Sequence, residues 1–143
     1  RMTELGINVA VASPQGYMPD EKIVAFARSN AAQNGSSVLI THDPSEAIAQ
    51  ADVVYGDVWA SMGQESEQKQ REAVFASYQV NKELFAKAKK DAIYMHCLPA
   101  HRGEEVTSDV IDSPASVIFD EAENRLHAQK ALMVLLMKGY ENK

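Results

Sequence analysis

Tyr94-Met95-His96-Cys97-Leu98-Pro99-Ala100-His101-Arg102-Gly103 holds the one cysteine of the chain, two of its four histidines, an arginine and a proline. Directly before it, Asp91-Ala92-Ile93-Tyr94-Met95 is an apolar run too short for a helix, and Lys87, Lys89 and Lys90 close a helix ahead of it. The stretch therefore reads as a buried strand that delivers reactive side chains at its C-terminal end. In open α/β sheets ligands bind at that end, because strand ends and helix N-termini converge there on one crevice.

Toward the C-terminus, residues 108–111 read as one helical turn and 116–119 as a last strand. Asp120 or Glu121 then begins a long helix through Met137, apolar at Ala128, Ala131, Leu132, Leu135 and Leu136. The longest apolar run, 131–137, reads as helix core and falls well short of the roughly 20 residues that span a bilayer. Toward the N-terminus, residues 52–58 form a strand whose exit is the loop Trp59-Ala60-Ser61-Met62-Gly63-Gln64-Glu65. A polar helix over 66–78 follows, with Ala73, Val74 and Phe75 packed, and Asn81 caps another over 82–90. Earlier still, Gly6 ends a helix tail, and 7–12 and 37–41 are strands. Between them Asp20 caps a helix that stops near Asn34-Gly35 and turns Ile23, Val24, Phe26 and Ala27 inward. Asp43-Pro44 opens a helix over 45–50 by the N-cap and N1 preferences.

Strands alternating with helices at this spacing imply right-handed crossovers and an α/β fold. The expected architecture is three-layered, a mostly parallel Rossmann-like sheet with helices on both faces. No repeat, low-complexity tract or linker divides residues 1–143, so the chain reads as one domain. Neither G-x-G-x-x-G nor a P-loop is present, which weakens a nucleotide-binding reading.

A net charge of -6 without a basic stripe argues against a nucleic-acid partner. Nothing in the composition calls for a membrane, and Arg1-Met2-Thr3-Glu4-Leu5-Gly6 lacks the apolar region of a signal peptide. A single cysteine excludes an internal disulfide framework and fits a reducing compartment, so a cytoplasmic location is expected.

Two constellations carry chemistry. The first joins residues 57–63 with Cys97 and Leu98, two loops leaving strand ends on one edge of the sheet. Such a pocket suits a zwitterionic amino acid: Asp57 pairs with an ammonium, while Ser61 and loop amides hydrogen-bond a carboxylate. The plainer alternative for Asp57 is a residue that ends a strand by turn chemistry. Cys97 is either a small buried hydrophobe or, beside His96, His101 and Arg102, an exposed thiol of lowered pKa. No ligand spacing beyond His96, Cys97 and His101 suggests zinc, and no metal is expected. The second constellation is Asp120-Glu121-Ala122-Glu123-Asn124-Arg125. Asp120 and Glu121 suit the positive end of a helix dipole, whereas Arg125 gains nothing from it. Arg125 reaches for an anion or pairs with Glu121 four residues earlier.

Taken together, Asp57-Val58-Trp59-Ala60-Ser61-Met62-Gly63-Gln64-Glu65, His96-Cys97-Leu98-Pro99 and Phe119-Asp120-Glu121-Ala122-Glu123-Asn124-Arg125, in this order, resemble the ornithine carbamoyltransferases. The likeness extends over nearly the whole chain, including residues 12–17 and Tyr78-Gln79-Val80. It implies a transferase that joins carbamoyl phosphate to the δ-amine of L-ornithine, giving L-citrulline and phosphate with no metal or organic cofactor. By the same resemblance Asp57, Ser61 and Met62 bind ornithine, Cys97 accepts a proton, Leu98 offers its carbonyl and Arg125 meets carbamoyl phosphate. The short loop over 100–106 resembles that of members working in arginine biosynthesis.

The resemblance also implies what is not here. The family's S-x-R-T and H-P-x-Q segments and an ornithine-contacting asparagine belong to a part outside these residues. The chain is similar to the ornithine-binding half alone, a truncated second domain lacking its first strand and the whole carbamoyl-phosphate domain. Loss of that central strand is expected to split 7–12 and 37–41 from 52–57 and leave unpaired backbone edges. The chain alone is then expected to be weakly folded or associated and inactive, and the complete enzyme a homotrimer or a multiple of trimers. The competing readings are a non-catalytic amino-acid-binding module, a carbamoyltransferase for another amine, and a cysteine-dependent hydrolase. The last needs a base in reach of Cys97, and His96, its neighbour on a strand, points to the opposite face.

Overall fold

The computed structural model describes residues 2–60 and 67–138. Among the described residues four short strands carry the fold: β1 (Val9–Ala12), β2 (Val38–Thr41), β3 (Val53–Gly56) and β4 (Ile93–His96). β1 pairs with β2 in parallel from Val9 opposite Val38 to Ala12 opposite Thr41, and β3 with β4 from Val53 opposite Ile93 to Gly56 opposite His96. Among the described residues these are two separate two-stranded sheets, which is the split the sequence leads one to expect. The C-terminal ends of β1 and β3 border one cavity, lined by Ala12, Gly56 and Asp57; beside it the Tyr78 hydroxyl donates to the His42 carbonyl at 2.6 Å, and His42 Nδ1 lies 2.9 Å from the Ser13 carbonyl.

The helices are α1 (Glu21–Asn34), α2 (Pro44–Ile48), α3 (Gln68–Phe75), α4 (Lys82–Phe85), α5 (Ser108–Ile111) and α6 (Ile118–Lys138). Their starts follow local chemistry. The Asp20 carboxylate accepts from the amides of Lys22 and Ile23 at 2.8 and 3.2 Å, Asp43 from Ser45 at 2.8 Å, and Asn81 from Leu84 at 2.8 Å. α1 ends at Gly35, which takes φ +70°, a conformation open to glycine without strain.

Several expectations are corrected by tertiary structure. α4 stops at Phe85 rather than near Lys90, because the next backbone groups bond sideways: Gln50 N–H donates to Lys87 O, and Lys89 N–H to Ala51 O. Residues 116–119 do not form a strand. Ser116 makes an isolated parallel bridge to Tyr94, and the Val117 carbonyl already accepts from Glu121 N–H at 2.9 Å, so Phe119 belongs to α6. In α3 only Phe75 is packed, in an aromatic group with Tyr17, Trp59 and Tyr78; Ala73 and Val74 are exposed.

The core lies around β3 and β4, where Val54, Tyr94, Val106, Val110, Ile111 and Ile118 are buried. By contrast the apolar face read for α6 is open, and that of α1 is only partly covered, with Val24 and Ala27 half-buried. Ile23 and Phe26 are more than half exposed, and in α6 every residue from Ala122 to Lys138 is exposed, Leu136 at 73%. Helical periodicity says which face is apolar, not whether another described element packs against it. No described helix is long and apolar enough to cross a membrane.

Candidate functional site

Because Gly56 and His96 are partners at the ends of paired parallel strands, the next residues, Asp57 and Cys97, leave the sheet side by side. The thiol of Cys97 donates to Asp57 Oδ1 at 3.3 Å, and the same oxygen accepts from Val58 N–H at 2.8 Å. Asp57 is exposed and Cys97 half-buried. The close pairing of the two strands depends on Gly56, since a Cβ there would run into the Tyr94 hydroxyl.

The expected lowering of the thiol pKa is not found. Partial burial, then the hydrogen bond and charge of Asp57, with a smaller contribution from Glu121, push Cys97 above the ordinary thiol value. The cations that sequence proximity suggested are turned away. His96 is 1% exposed, and its Nδ1 accepts from Leu98 N–H at 2.9 Å, which leaves the ring proton on Nε2. That nitrogen lies 3.2 Å from Oε1 of buried Glu105, a close polar contact not aligned as a hydrogen bond. His96 is therefore not a base for Cys97, which removes the basis of a cysteine-hydrolase reading. Arg102 is held by Asp112, with Nε and Nη2 at 3.0 and 2.6 Å from its carboxylate.

Leu98 has φ +54°, a left-handed conformation that costs a non-glycine residue free energy, and its amide bond to His96 holds it there. Glu105 Oε1 accepts from His101 N–H at 2.7 Å, so one buried carboxylate organises the loop that displays Cys97 and Leu98. Residue types alone did not reveal this, because Gly103-Glu104-Glu105 has the composition of a solvated turn.

Glu121 is the second group that sequence reasoning undervalued. Its carboxylate accepts from the Tyr55 hydroxyl at 2.5 Å and from His96 N–H at 3.0 Å, joining the first turn of α6 to the ends of β3 and β4. The hydrogen bond to Glu121, with desolvation, raises the Tyr55 phenol to about 12. With Glu121 so engaged, Arg125 makes no ion pair among the described residues. It lines a cavity of about 520 Å³ together with Cys97, Leu98, Pro99 and Glu121. The structure thus brings Asp57, Cys97, Leu98 and Arg125 to one rim. Ser61 and Met62 lie outside the described residues.

Among the described residues the ligand atoms of His101, Glu104 and Glu105 come within 4.8 Å of one another, the only grouping in reach of one cation. One Glu105 oxygen there is already engaged by the His101 amide.

Residues 1–136 match the family model described as aspartate/ornithine carbamoyltransferase, Asp/Orn binding domain. The chain is 63% identical over 137 residues to an ornithine carbamoyltransferase of Thermococcus kodakarensis, covering 96% of this chain and 44% of that protein. Against the anabolic ornithine carbamoyltransferase of Pyrococcus furiosus the identity is 60%, with the same coverage of each chain. The solved ornithine carbamoyltransferase from Pyrococcus furiosus superposes with a TM-score of 0.90 at 59% identity, covering 97% of this chain and 44% of that one. The chain spans less than half the length of these relatives. It belongs to the aspartate/ornithine carbamoyltransferase family, of whose Asp/Orn binding domain it is an example.

Proposed function

We propose that this chain is the ornithine-binding half of an ornithine carbamoyltransferase, which moves the carbamoyl group of carbamoyl phosphate to the δ-amine of L-ornithine. The observation that carries the reading is the thiol of Cys97 on the carboxylate of Asp57 at 3.3 Å, in a rim shared with Leu98 and Arg125.

An amine attacks a carbonyl only when neutral, and ornithine arrives as an ammonium. The carboxylate of Asp57 is the group that draws the ammonium in, displacing the thiol proton as its partner. The arriving cation offsets the neighbouring carboxylates that hold the thiol pKa high, so the thiol gives up its proton to solvent and the Asp57–Cys97 pair can take the first proton the nitrogen must lose. Nitrogen then bonds to the carbamoyl carbon, the carbon–oxygen bond to phosphate breaks, and a second proton passes from the nitrogen to the departing phosphate. The guanidinium of Arg125 supplies positive charge to the phosphate-bearing partner, and the Leu98 carbonyl, fixed through His96 and Glu105, accepts from the substrate. Ser61 and Met62 are the residues assigned to the amino-acid end of ornithine. No metal or organic cofactor takes part in this scheme.

The remaining parts of the reading concern the longer protein. A cleft of about 160 Å³ between β1 and β3, bordered by Ala10, Ala12, Val53 and Tyr55, supports a missing central strand. The carbamoyl-phosphate domain, a homotrimeric assembly, a cytoplasmic location and a role in arginine biosynthesis follow from the family resemblance. The anabolic name of the Pyrococcus relative supports the last of these. Residues 1–143 alone are then inactive. The test is citrulline formation by the full-length protein: activity with ornithine, lowered at least about 100-fold in Asp57→Asn and Cys97→Ala, supports the proposal. A full-length protein that ignores ornithine refutes it.

A further inference from the structure

We infer that Gln79 is a positioning residue: its carboxamide fixes the turn that carries Glu105, and through Glu105 the Cys97–Leu98 segment that meets substrate. That last link rests on the function proposed above.

Gln79 stands apart from the reacting groups, since it lines neither the cavity of Arg125 nor the cavity of about 250 Å³ that Asp57 borders. Its side chain is half-buried. From there Nε2 donates to Gly103 O at 2.9 Å and to Glu104 O at 2.7 Å. The next amide in the chain, Val80 N–H, donates to Glu105 O at 2.8 Å, and Thr107 N–H returns to Val80 O at 3.1 Å. Two neighbouring residues thus engage three successive carbonyls, those of residues 103 to 105.

A glutamine beside a surface turn is ordinarily a solvated side chain, and one hydrogen bond would not set it apart. Two features do. The carboxamide nitrogen has two hydrogens, and the two main-chain oxygens in reach use both. Because both neighbours are carbonyls, only the nitrogen end of the group suits them, so its orientation is defined. The side chain also continues a main-chain pairing: Val80 and Val106 form a parallel bridge, and Val106 is fully buried. Gln79 extends that anchored pairing by two carbonyls toward the exposed end of the turn.

The turn so held aims Glu105 inward, where it is 3% exposed. Its Oε1 accepts from His101 N–H at 2.7 Å and lies 3.2 Å from His96 Nε2, and His96 Nδ1 accepts from Leu98 N–H at 2.9 Å. Contacts therefore run from Gln79 to Leu98, while α6 and Arg125 take no part in them. Loss of Gln79 weakens the thiol and carbonyl side of the rim and spares the side that Arg125 serves. Glutamate has the same shape yet cannot replace it, because a carboxylate offers two carbonyls nothing but acceptors.

The experiment uses the full-length protein with Gln79→Glu and Gln79→Met, and two readouts. The first is amide hydrogen exchange over residues 98–107, which does not depend on substrate. The second is steady-state kinetics with ornithine and carbamoyl phosphate varied separately. Both variants are expected to exchange about ten-fold faster in that segment and to lose about ten-fold in kcat, with the KM for carbamoyl phosphate within about two-fold. Gln79→Met keeps the length without adding charge and carries the test if Gln79→Glu does not fold. Exchange equal to the parent's overturns the fixing role, as does a folded glutamate variant that matches the parent, since it keeps the shape and loses the donors. Faster exchange with an unchanged kcat overturns the link to the reaction, and so does a parallel loss of kcat, both KM values and melting temperature. Faster exchange in a protein whose parent forms no citrulline upholds the fixing and instead overturns the proposed function.

Discussion

Across the paired ends of β3 and β4, the Cys97 thiol donates to Asp57 Oδ1 at 3.3 Å, and the carboxylate raises the pKa of the group that donates to it. A thiol whose folded pKa lies above its unfolded value stabilises the fold below the ordinary value of 9.0, and that contribution is lost as pH rises through the folded pKa. Tyr55, raised to about 12, acts in the same sense above pH 10.0. Stability measured by urea unfolding is expected to fall with rising pH from about 9, and Cys97→Ser to make the first part of that fall shallower. Alkylation of Cys97 is expected to be slow at neutral pH. Its pH midpoint drops in Asp57→Asn, which removes the carboxylate but leaves the burial.

Glu105→Ala tests the buried support of the Leu98 turn. The change leaves the part-buried His101 amide without its acceptor and removes the carboxylate 3.2 Å from His96 Nε2. A loss of about 1–3 kcal/mol is expected in thermal or urea unfolding. Faster hydrogen exchange at the Leu98 amide should accompany it.

Gly56→Ala places a methyl group against the Tyr94 hydroxyl, in a core where Tyr94 is fully buried. Overpacking of this kind costs about 1–3 kcal/mol. Among the described residues that hydroxyl has no hydrogen-bond partner, so Tyr94→Phe alone is expected to be close to neutral. Combined with Gly56→Ala it should recover part of the loss, which a double-mutant cycle in urea measures.

The exposed apolar length of α6 predicts the behaviour of the isolated chain. Leu132 and Leu136 are 56% and 73% exposed, so Leu132→Gln with Leu136→Gln should change unfolding stability by no more than about 0.5 kcal/mol. The same pair should reduce self-association in sedimentation velocity, because a continuous apolar surface on a helix drives chains together.

How far the sequence reveals this arrangement depends on whether a property is local. Asp57 and Cys97 were legible as neighbours because each follows a short apolar strand and parallel pairing brings strand exits together. The caps at Asp20, Asp43 and Asn81 were legible because a side chain and its own amides decide them. The strand over 116–119 was not, since Ser116-Val117-Ile118-Phe119 has strand-forming residues while the Val117 carbonyl is taken by the first turn of α6. The thiol pKa was misjudged because His96, adjacent in the chain, faces Glu105, and the group facing the sulfur is a carboxylate. Glu105 escaped notice, and Glu121 was read as no more than a dipole or ion-pair partner, for one reason: charged residues in a turn or a first helical turn look alike whether their partners are solvent or a distant strand end.

The central claim is that the Asp57–Cys97 pair receives the amine of ornithine, and alkylation of Cys97 in the full-length protein tests it most directly. Rates are compared with carbamoyl phosphate present, with and without saturating ornithine, and with an amino acid of equal length lacking the δ-amine. The account predicts that ornithine slows modification at least about ten-fold, that the amine-free analogue protects less, and that Asp57→Asn abolishes the difference between them. Modification of Cys97 at the same rate with and without ornithine, in a protein that makes citrulline, would contradict it.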